Sequence, residues 1–149
     1  MWQNWFSLGT DYTAFNKDAA FMLYEDITKV VIHAAHEVHQ VLGYGFLEAV
    51  YGNALYKELT RKGIRCECQK SMDVFYKGEI VGHYVADMVV EDKIVVELKA
   101  VVDLRPEHEW QLINYLAAGN KKLGLLINFG KLVQVRRKIN THGEYIDAE

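Results

Sequence analysis

The sequence predicts a single domain of mixed α/β (α+β) class, in which helices cover a central mixed sheet. Three observations carry that expectation. Apolar residues recur at helical spacing through residues 27–42 and again through 46–62. Three runs rich in valine and aromatic residues then follow between residues 64 and 101, parted by turn signals at Lys77-Gly78 and Glu91-Asp92-Lys93. A third helical pattern after Pro106 leads into the apolar run from Leu123 to Phe129, so the order is helix, three-strand meander, helix, strand.

Composition agrees with a folded domain. Half of the 149 residues are hydrophobic and a quarter are charged, which separates the chain from disordered sequences. No apolar run approaches the ~18 residues that span a membrane. The start, Met1-Trp-Gln-Asn-Trp-Phe6, lacks the basic head and apolar centre of a signal peptide, so a cytoplasmic location is expected. Cys66 and Cys68 lie two apart on an expected strand, badly placed to bond each other and without a matching pair for zinc, and read as reduced structural thiols. A net charge of −3 gives no global attraction to nucleic acid and weighs against a tight non-specific binder. Local basic clusters at Arg61-Lys62 with Arg65, Lys121-Lys122 and Arg136-Arg137-Lys138 would flank a backbone groove or form ordinary solvated surface.

Taken in order, residues 1–21 read as an aromatic extension, with Trp2, Trp5, Phe6, Tyr12 and Phe15 available to pack on the domain or on a second copy in a homodimer. The domain is expected over 22–139. Its first helix carries Ile27, Val30, Val31, Ala34, Ala35, Val38 and Val41-Leu42 and stops at Gly43. His33, His36 and His39 recur every three residues and so span a wide arc, which suits surface or capping roles better than a metal. The second helix is expected from Phe46 to about Lys62, with a stripe of Leu47, Val50, Tyr51, Ala54, Leu55 and Leu59. Glu48 lies in its first turn, where a carboxylate complements the helix dipole. Strands are expected over 64–76, 80–90 and 94–101. Pro106 suits the first turn of a third helix running to about Ala118, with Trp110, Ile113, Leu116 and Ala117 apolar and Gln111 and Tyr115 four apart on one face. A buried strand from Leu123 to Phe129, a turn at Gly130, an edge strand over 132–136 and a polar tail over 140–149 complete the chain.

Chemistry concentrates on the hairpin from Val81 to Ala100. With a loop at residues 91–93, Val90 pairs with Ile94, and counting outward sets Asp87 opposite Glu97. Directly opposed residues share a face with Cβ atoms about 5 Å apart, and alternation adds Lys99 to that face. Such a trio on an exposed edge would be an ordinary ion pair of little worth. The flanking runs Met88-Val89-Val90 and Ile94-Val95-Val96 instead suggest a covered, central strand pair. Two buried carboxylates repel unless a cation lies between them. Lys99 supplies one cation; Mg²⁺ or Mn²⁺, which take oxygen ligands and keep several waters, would neutralise the cluster better.

Asp87, nine residues, then Glu97-Leu98-Lys99 resembles the D-(x)n-E-x-K core of the PD-(D/E)XK nuclease superfamily. Gly45-Phe-Leu-Glu48-Ala-Val-Tyr51 is similar to the motif of the GxxExxY family within it, and Gln111-Leu-Ile-Asn-Tyr115-Leu and Gly124-Leu-Leu-Ile-Asn-Phe129-Gly resemble that family in the same order, over residues 22–138. The first acidic motif departs from the pattern by having Ala86, not proline, before Asp87.

The resemblance implies an αβββαβ core and metal-dependent hydrolysis of phosphodiester bonds, with DNA favoured over RNA as substrate and 5′-phosphates on the products. It implies that Asp87, Glu97, the Leu98 carbonyl and Glu48 hold one or two Mg²⁺ (or Mn²⁺) ions. Gln111, and less directly Tyr115, would steady Lys99 or touch the scissile phosphate. Neighbouring carboxylates favour the ammonium form of an amine, so Lys99 is expected to orient water and stabilise charge rather than act as the base. The alternatives are a catalytically silent, nuclease-like module that binds nucleic acid or a protein partner, and a hydrolase of small molecules or nucleotides.

Overall fold

The structure, a computed structural model, describes residues 24–140; the aromatic extension and all but the first residue of the polar tail lie outside them. Helices α1 (Glu25–Leu42) and α2 (Glu48–Arg61) precede strands β1 (Cys66–Tyr76), β2 (Glu79–Val90) and β3 (Ile94–Lys99). Helix α3 (Pro106–Ala118) then leads to β4 (Leu123–Phe129) and β5 (Val133–Ile139). The five strands lie in the order β1-β2-β3-β4-β5, antiparallel throughout except for the parallel β3–β4 pair. That parallel pair requires a crossover, which α3 supplies. The expected mixed sheet with helical cover, and the αβββαβ order within it, is the architecture found. No helix among the described residues is long and apolar enough to cross a membrane.

Two apolar clusters sandwich the sheet. Val31, Ala35 and Val38 of α1 and Tyr51, Leu55 and Leu59 of α2 pack with Met88, Val90, Val96 and Leu98 on one face. Leu112 and Leu116 of α3 pack with Met72, Tyr84, Ala86, Val89 and Val95 on the other.

Element ends shifted for local reasons. Helix α2 begins at Glu48, not Phe46, because Gly45 has φ 107° and Leu47 is still extended. Leu47 and Val50, expected in its buried stripe, are exposed, as is Val41 in α1. In α3 the stripe is Leu112 and Leu116, four apart, while Trp110 is 62% exposed and Ala117 lies on the surface. Strand β5 runs to Ile139 and so pairs along all of β4.

Several residues of the basic clusters are held in ion pairs. Arg61 meets Glu58 at 3.3 Å, Lys62 meets Glu37 at 3.1 Å and Lys121 meets Asp92 at 3.0 Å. Arg136 and Lys138 share Glu109, at 3.6 and 3.1 Å. These five side chains are thus partly neutralised by neighbouring carboxylates. The histidines behave as expected from their wide arc: His33 meets Glu37 at 2.8 Å, and His39 Nε2 lies 2.8 Å from the Gly130 carbonyl.

Candidate active site at a face switch in the sheet

Strands β1 and β2 both change faces at one point. Cys66 of β1 packs toward α1 and α2, yet Met72, six residues on, packs toward α3. Strict alternation would keep them on one face. In β2, Met88 and Val90 face α1 and α2, whereas Tyr84 and Ala86 face α3. The ladder pairs Cys68 with Met88 and Lys70 with Ala86, skipping Gln69 and Asp87, which stand opposite each other. Gln69 has φ 51°, in the left-handed region, and that reversal turns the strand over without inserting a residue. Asp87 therefore sits at the hinge of the switch.

The β2–β3 ladder ends beside it. Its last pair is Met88 with Val96; one step further Asp87 and Glu97 are opposite in number, as the hairpin count expected, but no longer paired as backbone. Asp87 Oδ2 instead accepts the Leu98 N–H at 2.8 Å. The sheet opens at the acidic pair.

Glu97 is 8% exposed, and its Oε1 has no hydrogen-bond partner. Burial pushes its carboxyl up to about pH 8, helped by the Asp87 charge and a hydrogen bond with the Asp87 side chain; the Asp87 backbone N–H and Lys99 pull the other way. Lys99 is half-buried two residues along. Alternation from Val95 points Glu97 toward α3, where its charge raises the Tyr84 and Tyr115 hydroxyls after burial has done most of that work. These two rings stack at 3.9 Å, and Gln111 hydrogen-bonds the Tyr115 hydroxyl.

Glu48 lies on the opposite side. It lines a cavity of about 620 Å³ between the start of α2 and the kinked strands, shared with Asp87, Gln69 and Leu98. Asp87 thus borders both halves: it lines the cavity that Glu48 also lines, and it interacts with Glu97 across the opened sheet. Among the described residues no three of His, Cys, Asp and Glu converge as a ready-made ligand cluster. Glu48 is exposed and is not drawn in to join the acidic pair, so the expected carboxylates stand as a pair plus one.

Two positioning groups escaped the sequence reading as such. Tyr51, wholly buried, stacks on Phe129 at 4.5 Å; its hydroxyl donates to the Gly43 carbonyl at 2.7 Å and accepts from the Phe46 N–H at 3.3 Å. It staples the loop that delivers Glu48. Asn128, also wholly buried, stands beside Lys99 in register. Its carboxamide accepts from the Val101 N–H and donates to the Val101 carbonyl, both at 2.9 Å, and donates to Gln134 at 3.0 Å. It clamps the chain as it leaves the Glu97-Leu98-Lys99 strand. Asn128→Ala leaves the part-buried Val101 N–H and carbonyl without this partner and is expected to cost about 1–3 kcal/mol, read as a lower urea midpoint with an unchanged slope. A loss under about 0.5 kcal/mol would show that the clamp is idle.

A model of the PD-(D/E)XK nuclease superfamily matches residues 25–141. Among solved structures, the chain is similar to SSO0001, with 18% identity and a TM-score of 0.51 over 62% of this chain and 50% of that one. It is also similar to an alkaline exonuclease, LHK-Exo, from Laribacter hongkongensis, with 11% identity and a TM-score of 0.49 over 66% of this chain and 59% of that one. The chain therefore spans 50% and 59% of the lengths of these two proteins. No curated protein matches it. The strand order, the acidic pair with its lysine at the opening of the sheet and the family match over nearly the whole described region agree: the chain belongs to the PD-(D/E)XK nuclease superfamily.

Proposed function

We propose that the protein is a metal-dependent nuclease that hydrolyses phosphodiester bonds, DNA rather than RNA, leaving 5′-phosphates. The observation that carries the reading is Glu97: a buried carboxyl with an orphaned oxygen beside Asp87. Leaving a buried acceptor unpaired is costly, and a divalent cation satisfies that oxygen while cancelling the repulsion. A pair of carboxylates suits Mg²⁺ or Mn²⁺, which complete their shells with water and substrate oxygens, so the residues present fit the ion. Asp87 and Glu97 would hold it with the Leu98 carbonyl, and Glu48 would join from the cavity.

When bound, the ion supplies an acidified water and neutralises phosphate charge. Lys99 would orient that water and stabilise developing negative charge. Asp87, bonded to the Leu98 N–H, holds the two strand ends in register. Gln111 positions Tyr115 beneath the acidic pair. The motif likeness to the GxxExxY family supports the role given to Glu48, and the protein is proposed to act in the cytoplasm.

Calorimetric titration with Mn²⁺ tests the ligand set: binding should vanish in Asp87→Asn, and the cut ends should accept ligase without prior phosphorylation. Cleavage that persists in excess EDTA would overturn the proposal. A second reading, a silent module that binds nucleic acid or a protein, draws on the net charge of −3 and on basic clusters engaged in ion pairs. An absence of Mn²⁺ binding would select it.

A further inference from the structure

Gln69 holds the face switch at a backbone cost that a glycine would avoid. A left-handed conformation in a non-glycine residue is uncommon, more so in the middle of a strand that continues on both sides, and such strain collects at functional sites. Its side chain is exposed and makes no hydrogen bond among the described residues. Yet Gln69 lines the cavity that holds Glu48 and Asp87, opposite the start of α2. There the wall is apolar and open: Phe46 is 47% exposed and Leu47 79%. A cavity of about 620 Å³ lies within the ~300–1,000 Å³ range of small-ligand sites. A ring to stack on and a neutral carboxamide, beside the carboxylates proposed to hold the cation, suit one nucleotide of a nucleic-acid strand.

We infer that this cavity is the subsite for an unpaired nucleotide beside the bond to be cut, with Gln69 as its polar contact. A base enclosed in a cavity cannot remain stacked in a duplex, so the occupant is a single strand or a frayed end. Phe46 supplies a stacking surface that tolerates any base. The Gln69 carboxamide, with both donor and acceptor, bonds either a base edge or a sugar-phosphate oxygen. The inference rests on the nuclease reading for its substrate class, but it is testable without cleavage.

Gln69→Gly separates backbone from side chain, because glycine adopts this φ freely and keeps the face switch. With the full chain in EDTA, fluorescence anisotropy measures binding of a short labelled oligothymidylate. The same variant is assayed for steady-state cleavage with metal. Losing one neutral hydrogen bond should weaken binding about 3–10-fold and raise KM by a similar factor, with a smaller fall in kcat. Thermal stability should not fall, and Gln69→Asn, which also tolerates this backbone, should recover part of the affinity. Wild-type affinity and KM in Gln69→Gly would overturn the subsite. A Gln69-dependent affinity without cleavage would uphold the subsite and sink the nuclease reading. Duplex cleavage without single-strand binding would do the reverse.

Discussion

Glu97→Gln is expected to abolish cleavage while making the metal-free protein more stable at alkaline pH. In the folded protein this carboxyl holds its proton up to about pH 8 because it is buried beside Asp87, whereas unfolded it would ionise near its ordinary value of ~4.3. Between these values the folded state binds more protons than the unfolded one. The stabilising contribution is therefore fully present below the unfolded value and is lost as pH rises through about 8. Gln copies the protonated form and cannot ionise. In EDTA, the variant should thus match wild type near pH 4 and exceed it at pH 9 by an amount on the order of 3–5 kcal/mol. Melting curves of both proteins across that range check this; a constant difference would contradict the buried-acid account. On the proposed ligand set, the same linkage would make metal binding release a proton and weaken as pH falls. If Glu97 is the ligand proposed, its loss should lower cleavage about 10²–10³-fold or more.

Tyr51 carries the second large effect. Tyr51→Ala removes a wholly buried ring stacked on Phe129 and should destabilise by about 3–5 kcal/mol. Tyr51→Phe keeps the ring and deletes only the bonds to Gly43 and Phe46. Its stability loss should be about 1–2 kcal/mol. If the hydroxyl staples the loop before Glu48, activity in Tyr51→Phe falls further than the modest stability loss explains, since the protein remains folded at the assay temperature. Full activity in Tyr51→Phe would reduce Tyr51 to a core residue.

Much of the fold was legible because the chain is locally consistent. Glycines at 43, 63 and 78, each at positive φ, mark real helix ends and a hairpin tip, and the apolar runs of β3 and β4 match their burial on both faces. The hairpin count reached Asp87 opposite Glu97 because the loop is short enough to set register. The face switch was not legible. It turns on Gln69, which has neither the glycine nor the asparagine that usually flags a left-handed residue, and two strands switching together leave the register sum unchanged. The expected α3 stripe shares Leu116 with the buried one but takes in the exposed Trp110 and Ala117 and omits Leu112, one turn before Leu116 on the covered face. Asn128 looked like part of an apolar motif; only the chain crossing beside it at Val101 gives its carboxamide a task.

The central claim is that Asp87, Glu97 and Lys99 form a metal-dependent centre for phosphodiester hydrolysis. Its most direct test is cleavage of supercoiled plasmid, linear duplex, single-stranded DNA and RNA with Mg²⁺ or Mn²⁺, comparing wild type with identically purified Glu97→Ala. The account predicts cutting of DNA by wild type that needs the metal and is lost in the variant. Equal cutting by both proteins, or none by wild type together with no Mn²⁺ binding, would contradict it.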